Sequence, residues 1–477
     1  MLNIFSTRES GGFGSNLLFA VAAQGVGLLS SILTSLILPK LLGVEDYAYW
    51  QLFLLYSSYA GFALLGLNDG IYLRLGGRHY DKLDHGVLKG QQLIVLCSQV
   101  VVAIVCLGVA VASGSDPNRT AVFIFVVVFG LASNMTQCLR YVFQCTNLTR
   151  ISSLADLSSK GLFIICMGTL FLVDFDYFLP FVACYTACQF LAFCYVLICA
   201  RRVVFAPLKL RGTLAICVSD IKSGMKIMVA YYADSLIVGF TRMLTDARLG
   251  LAVFGKLSLS FSLTNFFLTF IGQVSMVAFP VLKRLDPLQQ RDKYAYIRRV
   301  LHIILPVIYL AYVPIRYILV LWLPDYAESF VYLALTMPLC IYSCKANLLF
   351  NTYMKIGRHE TRLCLTNVAT MVFNGAFSLA LIDAVGVVGA TVGIIVSVAV
   401  RDWLFERFMD GKFHVGHVRQ CASQALMAVG FMLASWYLGA WSIVAVALML
   451  TLFWALQRDD FAIVVSDLTT RVRVKRG

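Results

Sequence analysis

The sequence predicts an all-α polytopic membrane protein of about 14 transmembrane helices, and three observations carry this prediction. Of the 477 residues, 60% are hydrophobic and only 13% are charged, whereas soluble proteins are about 45–50% apolar and about 25% charged. Apolar runs long enough to span a bilayer recur along the whole chain. Lysine and arginine concentrate in every second loop between these runs. This composition excludes a disordered chain and an ordinary cytosolic enzyme.

A helix needs about 20 mostly apolar residues to cross the hydrocarbon core. The predicted spans of this length fall into three groups. Six spans are predicted at 15–38, 48–67, 91–112, 120–143, 151–173 and 177–200. A basic segment separates them from six more, at 224–244, 254–282, 300–321, 330–352, 362–382 and 385–404. Two further spans, 420–437 and 441–456, precede a basic tail. We therefore expect two six-helix lobes followed by two extra helices.

The distribution of positive charge predicts the orientation, since loops rich in Lys and Arg tend to remain in the cytoplasm. The loops after even-numbered spans are basic, and the loops after odd-numbered spans carry few cations. Both termini are therefore predicted to be cytoplasmic, in a multi-pass protein of the cell (inner or plasma) membrane. The net charge of +14 indicates contact with anionic membrane lipids and not with nucleic acid.

The two sets of six spans show a faint internal similarity. Residues 42–48 match 249–255, so that Gly43 corresponds to Gly250, and residues 141–144 match 348–351 at the same offset of 207. Because each set has an even number of spans, both would enter the membrane with the same polarity, as parallel repeats do. We expect an N-terminal lobe (1–200), a cytoplasmic linker (201–223), a C-terminal lobe (224–410) and a peripheral segment (411–477), with the functional region between the lobes.

Features of enzymes and metal proteins are missing from the sequence. No predicted extramembrane segment exceeds roughly 25 residues, which is too short for a separately folded catalytic domain. A Gly-rich phosphate loop of the Walker type is absent. The 14 cysteines have no histidine or second pair nearby to complete a zinc site, so they are interpreted as small apolar residues in helices. The sequence therefore predicts a protein that is not an enzyme and that uses no cofactor or metal.

Polar residues at membrane depth are costly, so they normally face a cavity or a partner. In span four, Ser133, Gln137, Arg140 and Gln144 lie within about 60° of one another on the helix. One interpretation is that Arg140 reaches the cytoplasmic interface and the glutamines join helices. The other is that Arg140 contacts an anionic headgroup.

Two carboxylates are candidates for coupling transport to an ion gradient. Asp234 lies near the middle of span seven, where it either forms a static ion pair or has a coupling or substrate role. Asp69 follows span two in the sequence Asn68-Asp69-Gly70, with Arg74 about one turn beyond. That glycine would break the helix and bring backbone groups to a cavity mouth, or the group is only a helix cap.

The deep charges counted from the sequence are net positive: Arg140, Arg242, Arg316 and Lys345 against Asp69 and Asp234. A cationic cavity suits an anionic substrate such as a diphosphate headgroup, because guanidinium pairs well with phosphate oxygens. Lys345 lies more than about 100° around span ten from Asn351, so the two cannot face one cavity without a kink. The substrate-binding candidates are Arg74, Arg140, Gln144, Arg242, Lys345 and Asn351.

Four stretches carry a resemblance to a known family: residues 36–47 at the end of span one, 65–70 in span two, 278–282 in span eight and 321–326 after span nine. With the number and order of spans, they make the sequence resemble the Wzx-like oligosaccharide and polysaccharide flippases of the multidrug/oligosaccharidyl-lipid/polysaccharide (MOP) superfamily. The resemblance implies a two-lobed, V-shaped bundle that carries a polyprenyl-diphosphate-linked oligosaccharide to the outer leaflet by alternating access. It also implies basic cavity residues for the diphosphate, for which Arg74, Arg140, Arg242 and Lys345 are available by position.

Other functions stay open at this point. The chain could be a multidrug or cation antiporter of the same superfamily, which would use Asp234. It could also be a non-transporting scaffold that binds polysaccharide assembly proteins, in which case Arg140 and Asp234 would tolerate substitution. The leading hypothesis from the sequence is a flippase for surface polysaccharide biosynthesis.

Overall fold

The computed structural model describes residues 13–112, 116–283, 285–413, 416, 418–464 and 466. These residues form helices joined by short turns, and no strand occurs among them. A helix satisfies all its backbone hydrogen bonds internally, which an apolar segment in lipid requires. The predicted all-α fold class is confirmed.

The described residues of the first part of the chain form eight helices. They are α1 (Phe13–Leu36), α2 (Leu38–Ser58), α3 (Leu67–Leu75), α4 (His85–Ala112), α5 (Pro117–Cys145), α6 (Thr149–Leu172), α7 (Phe178–Cys199) and α8 (Arg201–Val204). Short 3-10 turns occupy Ala60–Leu64 and Tyr80–Lys82. The boundaries of the helices follow local chemistry. For example, α5 begins with a proline, and the Asp116 carboxylate before it accepts a hydrogen bond from the backbone N–H of Asn118.

In the second part, the residues that the structure describes form nine helices. They are α9 (Thr213–Leu249), α10 (Leu251–Lys283), α11 (Pro287–Ile304), α12 (Tyr312–Trp322), α13 (Ala327–Lys345), α14 (Asn351–Ile356), α15 (Glu360–Phe413), α16 (Val418–Tyr437) and α17 (Ser442–Leu456). Residues Leu305–Ala311 form a 3-10 connection between α11 and α12, and Ala346–Phe350 form a π-helix between α13 and α14.

Ten helical stretches in the described part are long and apolar enough to cross a membrane, or up to 11 if the bent pair α1–α2 counts as one span. The chain is thus a multi-pass membrane protein. Each predicted span overlaps a helix, and the 54-residue α15 covers two of them, with a break at Gly386. The number of fourteen stays a prediction.

The chain divides into two compact units, Met1–Ser235 and Leu236–Gly477. The boundary lies inside α9, beyond the predicted linker 201–223. In the first unit, Trp50 is fully buried, stacks on Phe163 at 5.6 Å between ring centroids and meets the edge of Tyr185. In the second unit α13 is the central helix, buried along most of its length and packed against α10, α15 and α16.

The paired glycines from the sequence comparison occupy equivalent places in the two units. Gly43 has φ 68° near the start of α2, and Gly250 has φ 91° between α9 and α10. Both lie near the junction of two consecutive helices, α1 with α2 and α9 with α10, and glycine adopts a positive φ with little strain. The positive φ that both glycines share is compatible with the duplication predicted from the offset of 207, which stays a prediction.

Candidate functional site

In the first unit, Arg74 of α3 lies against a buried carboxylate. Its Nε donates to Asp220 Oδ1 at 2.8 Å and its Nη2 donates to Oδ2 at 2.9 Å. The amide of Gln91 in α4 also donates to Asp220 Oδ2, at 2.8 Å. Asp220 is only 2% exposed. Its contacts with Arg74 and Gln91 join α3, α4 and α9.

Close approach of helix backbones brings this ion pair together. A Cβ at Gly70 would overlap the backbone carbonyl of Asp220, and one at Gly224 would overlap the carbonyl of Gly66. Glycine at these positions lets α3 lie directly on the N-terminal part of α9. The helix break predicted at Asn68-Asp69-Gly70 is not located there: the chain turns at Leu65 and Gly66, which both have positive φ, and α3 runs through Gly70.

The polar stripe of α5 contacts α6. Both Arg140 Nε and Gln144 Nε2 donate to Ser152 Oγ, at 3.0 and 2.8 Å. Arg140 also forms an ion pair with Asp156. The Arg140 side chain remains 22% exposed, so solvent reaches the guanidinium. The structure thus brings two substrate-binding candidates, Arg140 and Gln144, to one hydroxyl.

Asp69 has an aromatic environment. It is half-buried, it interacts electrostatically with the hydroxyls of Tyr141 and Tyr232, and no ion pair joins it to a cation within the described ranges. Beside it, Asn68 is 5% exposed; its amide donates to Gln137 Oε1 at 3.2 Å and its Oδ1 has no hydrogen-bond partner. This group presents a carboxylate, amides and phenols to one place.

Asp234 and Arg242 lie on the same helix but in different units. Asp234 interacts electrostatically with Tyr231 in the first unit. In the second unit, Arg242 Nε donates to Ser258 Oγ at 3.2 Å, and its guanidinium lies 5.5 Å from the ring centroid of Phe254. The coupling role of Asp234 and the substrate role of Arg242 stay predictions.

Lys345 belongs to a buried charge cluster, which we define as Arg298, Lys345, Asp402 and Glu406. Lys345 Nζ donates to Asp402 Oδ2 at 2.7 Å and to Glu406 Oε1 at 2.5 Å. Glu406 also lies 3.1 Å from Arg298 Nη2. The four side chains are 1–4% exposed. Two cations facing two carboxylates make the cluster neutral, and Lys345 is closed to a headgroup in this conformation.

A π-helix separates Lys345 from the other candidate on the same span. The segment Ala346–Phe350 widens the helix immediately after Lys345. Beyond it, the half-buried Asn351 donates to Asn347 Oδ1 at 3.1 Å. Such bulges often mark functional positions in helices. Even with this irregularity, Lys345 is buried in its cluster while Asn351 is partly exposed.

Sequence reasoning missed the carboxylates that pair with the predicted cations: Asp156, Asp220, Asp402 and Glu406. Arg298 falls between the predicted spans 254–282 and 300–321, whereas the structure buries it in α11. A signal existed for three of the carboxylates, because Ser152 and Asp156, and likewise Asp402 and Glu406, are four residues apart and share a helix face. With these partners present, the charges of Arg74, Arg140 and Lys345 are paired, so Arg140 and Lys345 do not add to the excess of positive charge that was predicted.

No family model matches the sequence, and no match was found among the curated proteins. Solved structures do match the fold. One is the lipid II flippase MurJ in an inward closed conformation, with 12% identity, coverage of 93% of this chain and 99% of that chain, and a TM-score of 0.60.

Another is a multidrug resistance MATE family transporter of the MOP superfamily. Its inward-facing conformation has 13% identity, covers 83% of this chain and 98% of that chain, and has a TM-score of 0.52. The outward-facing conformation of a MATE family transporter has 15% identity, 84% and 94% coverage, and a TM-score of 0.50. The chain therefore shares the fold of these solved transporters and flippase.

Proposed function

We propose that the protein is a flippase, which moves a polyprenyl-diphosphate-linked oligosaccharide from the cytoplasmic to the outer leaflet for surface polysaccharide biosynthesis. The fold match to the lipid II flippase MurJ, over nearly the full length of both chains, is the observation that carries this proposal. The predicted excess of basic loops on one side is compatible with a substrate that is loaded at the cytoplasmic face.

Arg74 and Arg140 are the residues of the first unit best suited to a diphosphate. Each uses Nε and Nη2 for protein contacts, and within the described residues each leaves Nη1 without a protein acceptor. Both side chains are partly exposed. Guanidinium groups bind phosphate oxygens through parallel N–H donors, so a headgroup could add to these ion pairs or displace their carboxylates.

The direct test is a flipping assay with the purified protein in vesicles. A fluorescent polyprenyl-diphosphate oligosaccharide is placed in both leaflets, and a membrane-impermeant reductant bleaches the outer one. With the protein present, bleaching should proceed to near completion; bleaching that stops at about half, as in protein-free vesicles, would refute the proposal.

Substitution at Arg140 tests the headgroup contact. A charge-assisted hydrogen bond contributes about 1.5–3 kcal/mol, so Arg140→Gln should slow flipping roughly 10- to 100-fold. Arg248→Gln is the matched control, because Arg248 forms an exposed ion pair with Asp383 at 2.8 Å. Thermal unfolding checks that both variants are folded. If both are folded and flip at equal rates, Arg140 is not part of the substrate site.

A second candidate, a cation antiporter, is favoured by the surroundings of Asp69. A half-buried carboxylate among tyrosines, without a cationic partner in the described part of the chain, suits an organic cation. The MATE family structures share the fold. This candidate predicts lower accumulation of a cationic dye in cells that overproduce the wild type, and loss of that effect in Asp69→Asn. Unchanged dye accumulation in the wild type would exclude it.

A further inference from the structure

The connection between α7 and α9 exposes large apolar side chains. We define residues 201–214 as the linker surface. Phe205 is 85% exposed, Leu214 63%, Leu210 52% and Leu208 45%. Apolar side chains that are this exposed usually mark a surface that contacts something else.

The linker is fixed on α4. Lys89 Nζ donates to the carbonyl of Ala206 at 3.0 Å, and Lys209 N donates to the carbonyl of Gly86 at 3.4 Å. A Cβ at Gly86 would lie 2.6 Å from the carbonyl of Pro207, and one at Gly90 would lie 2.6 Å from that of Lys209. These two glycines are one helical turn apart, so the linker backbone lies along one face of α4. In this position the side chains of Phe205, Leu208 and Leu210 stay exposed.

The same segment is strongly basic. It contains Arg201, Arg202, Lys209 and Arg211 and no acidic residue. Arg202 pairs with Asp81, and Lys209 pairs with Asp84 at 2.8 Å. Both pairs are about half exposed or more, so competing anions can replace the carboxylates at little cost. A cavity of about 430 Å³, lined by Arg202, Phe205, Lys209 and the paired Asp84 among others, opens between them.

The linker surface lies where spans end. α7 ends at Cys199, and α9, with 37 residues, is about 55 Å long, well beyond the roughly 30 Å of the hydrocarbon core. Lys222 and Lys226 lie in the first part of α9. The linker is therefore outside the hydrocarbon core, at the level of the lipid headgroups.

We propose that the linker surface is a binding site for anionic phospholipids. Basic residues attract the headgroup phosphate, and an apolar side chain such as Phe205 enters the boundary between headgroups and acyl chains. The cavity between Arg202 and Lys209 holds the phosphate. Charge complementarity selects anionic over zwitterionic lipid, and the site is independent of the substrate that the protein transports.

The test uses the full-length protein in detergent with the substitution Phe205→Trp. Fluorescence is titrated with brominated phosphatidylglycerol or brominated phosphatidylcholine, and the signal of the wild type, with its 6 native tryptophans, is subtracted. The concentration of phosphatidylglycerol that gives half-maximal quenching should be at least about tenfold lower than that of phosphatidylcholine. Adding Arg202→Gln and Lys209→Gln should raise that concentration about 25-fold, at about fivefold for each basic residue.

The matched control adds Lys412→Gln and Arg458→Gln, two exposed cations elsewhere in the chain, and should change half-maximal quenching less than about twofold. Equal quenching by both lipids, or no quenching of the new tryptophan, would overturn the proposal. So would full relief of quenching by inorganic phosphate at a concentration equal to that of the lipid, which would indicate a site for the free ion. All substituted side chains are exposed, so each variant is expected to fold. Elution as a single species in size-exclusion chromatography checks this.

Discussion

Replacing Lys345 by methionine is expected to destabilise the second unit by about 3–5 kcal/mol. Lys345 is 1% exposed and donates three hydrogen bonds, to Asp402, Glu406 and Gln424, at 2.7, 2.5 and 2.8 Å. Methionine preserves the aliphatic stem but removes the charge. The substitution leaves two carboxylates facing each other in a site that water does not reach.

The magnitude follows from the partners that remain. Three hydrogen bonds to a charged donor, at about 1.5–3 kcal/mol each, set an upper limit of about 9 kcal/mol. Glu406 retains Arg298 at 3.1 Å and the thiol of Cys421 at 3.2 Å, so its loss is partial. Asp402 loses its lysine, and its Oδ1 already has no partner in the described structure. The expected loss in the free energy of unfolding is therefore about 3–5 kcal/mol, the range for breaking a buried ion pair.

Thermal unfolding in detergent, followed by circular dichroism, measures the effect. At roughly 2–4 °C per kcal/mol for a unit of this size, Tm should fall by roughly 6–20 °C. Lys256→Met is the matched control, because Lys256 lies 2.7 Å from a glutamate that is 68% exposed. We expect that control to change stability by less than about 1 kcal/mol.

A double substitution distinguishes charge pairing from packing. Lys345→Met with Asp402→Asn removes one charge of each sign and leaves Glu406 beside Arg298. The double variant should recover at least about half of the loss, since no uncompensated carboxylate remains. If it is as unstable as the two single variants added together, or if Lys345→Met unfolds at the wild-type temperature, the charge-pairing argument is wrong.

Two further predictions concern the first unit. Gly70→Ala should destabilise it by about 1–3 kcal/mol, because the new Cβ overlaps the Asp220 carbonyl; Gly161→Ala in α6, where nothing lies within 4 Å, should be neutral or stabilising in the same thermal assay. The hydrogen bond from Lys209 lowers the pKa of the Asp84 carboxyl in the folded state. The ion pair therefore stabilises the folded state at pH values above the unfolded pKa of about 3.9. This stability is lost as the pH falls through the lower pKa of the folded state. Asp84→Asn should therefore unfold up to about 3 °C below the wild type at pH 6 and at the same temperature at pH 2; a difference that persists at pH 2 would contradict this.

Much of the fold was predictable because lipid imposes strict requirements on a sequence. An apolar run of about 20 residues in a bilayer has to be helical, so hydropathy alone located helices such as α5 and α7. Gly43 and Gly250 were recognisable as a pair from sequence, and both have the left-handed backbone that their position needs. The irregularities were harder to predict, since the π-helix after Lys345 contains no glycine or proline that would mark it in the sequence.

The sequence by itself determined that this chain is helical and crosses a membrane several times, and it predicts two related halves. Only the tertiary structure decided which charges meet. Lys345 is 57 residues from Asp402 and 61 from Glu406, and Arg74 is 146 residues from Asp220. Helical periodicity gives the direction of each side chain relative to its own helix, but a pair between distant helices depends on how those helices pack, and that packing is set by the sum of many apolar contacts.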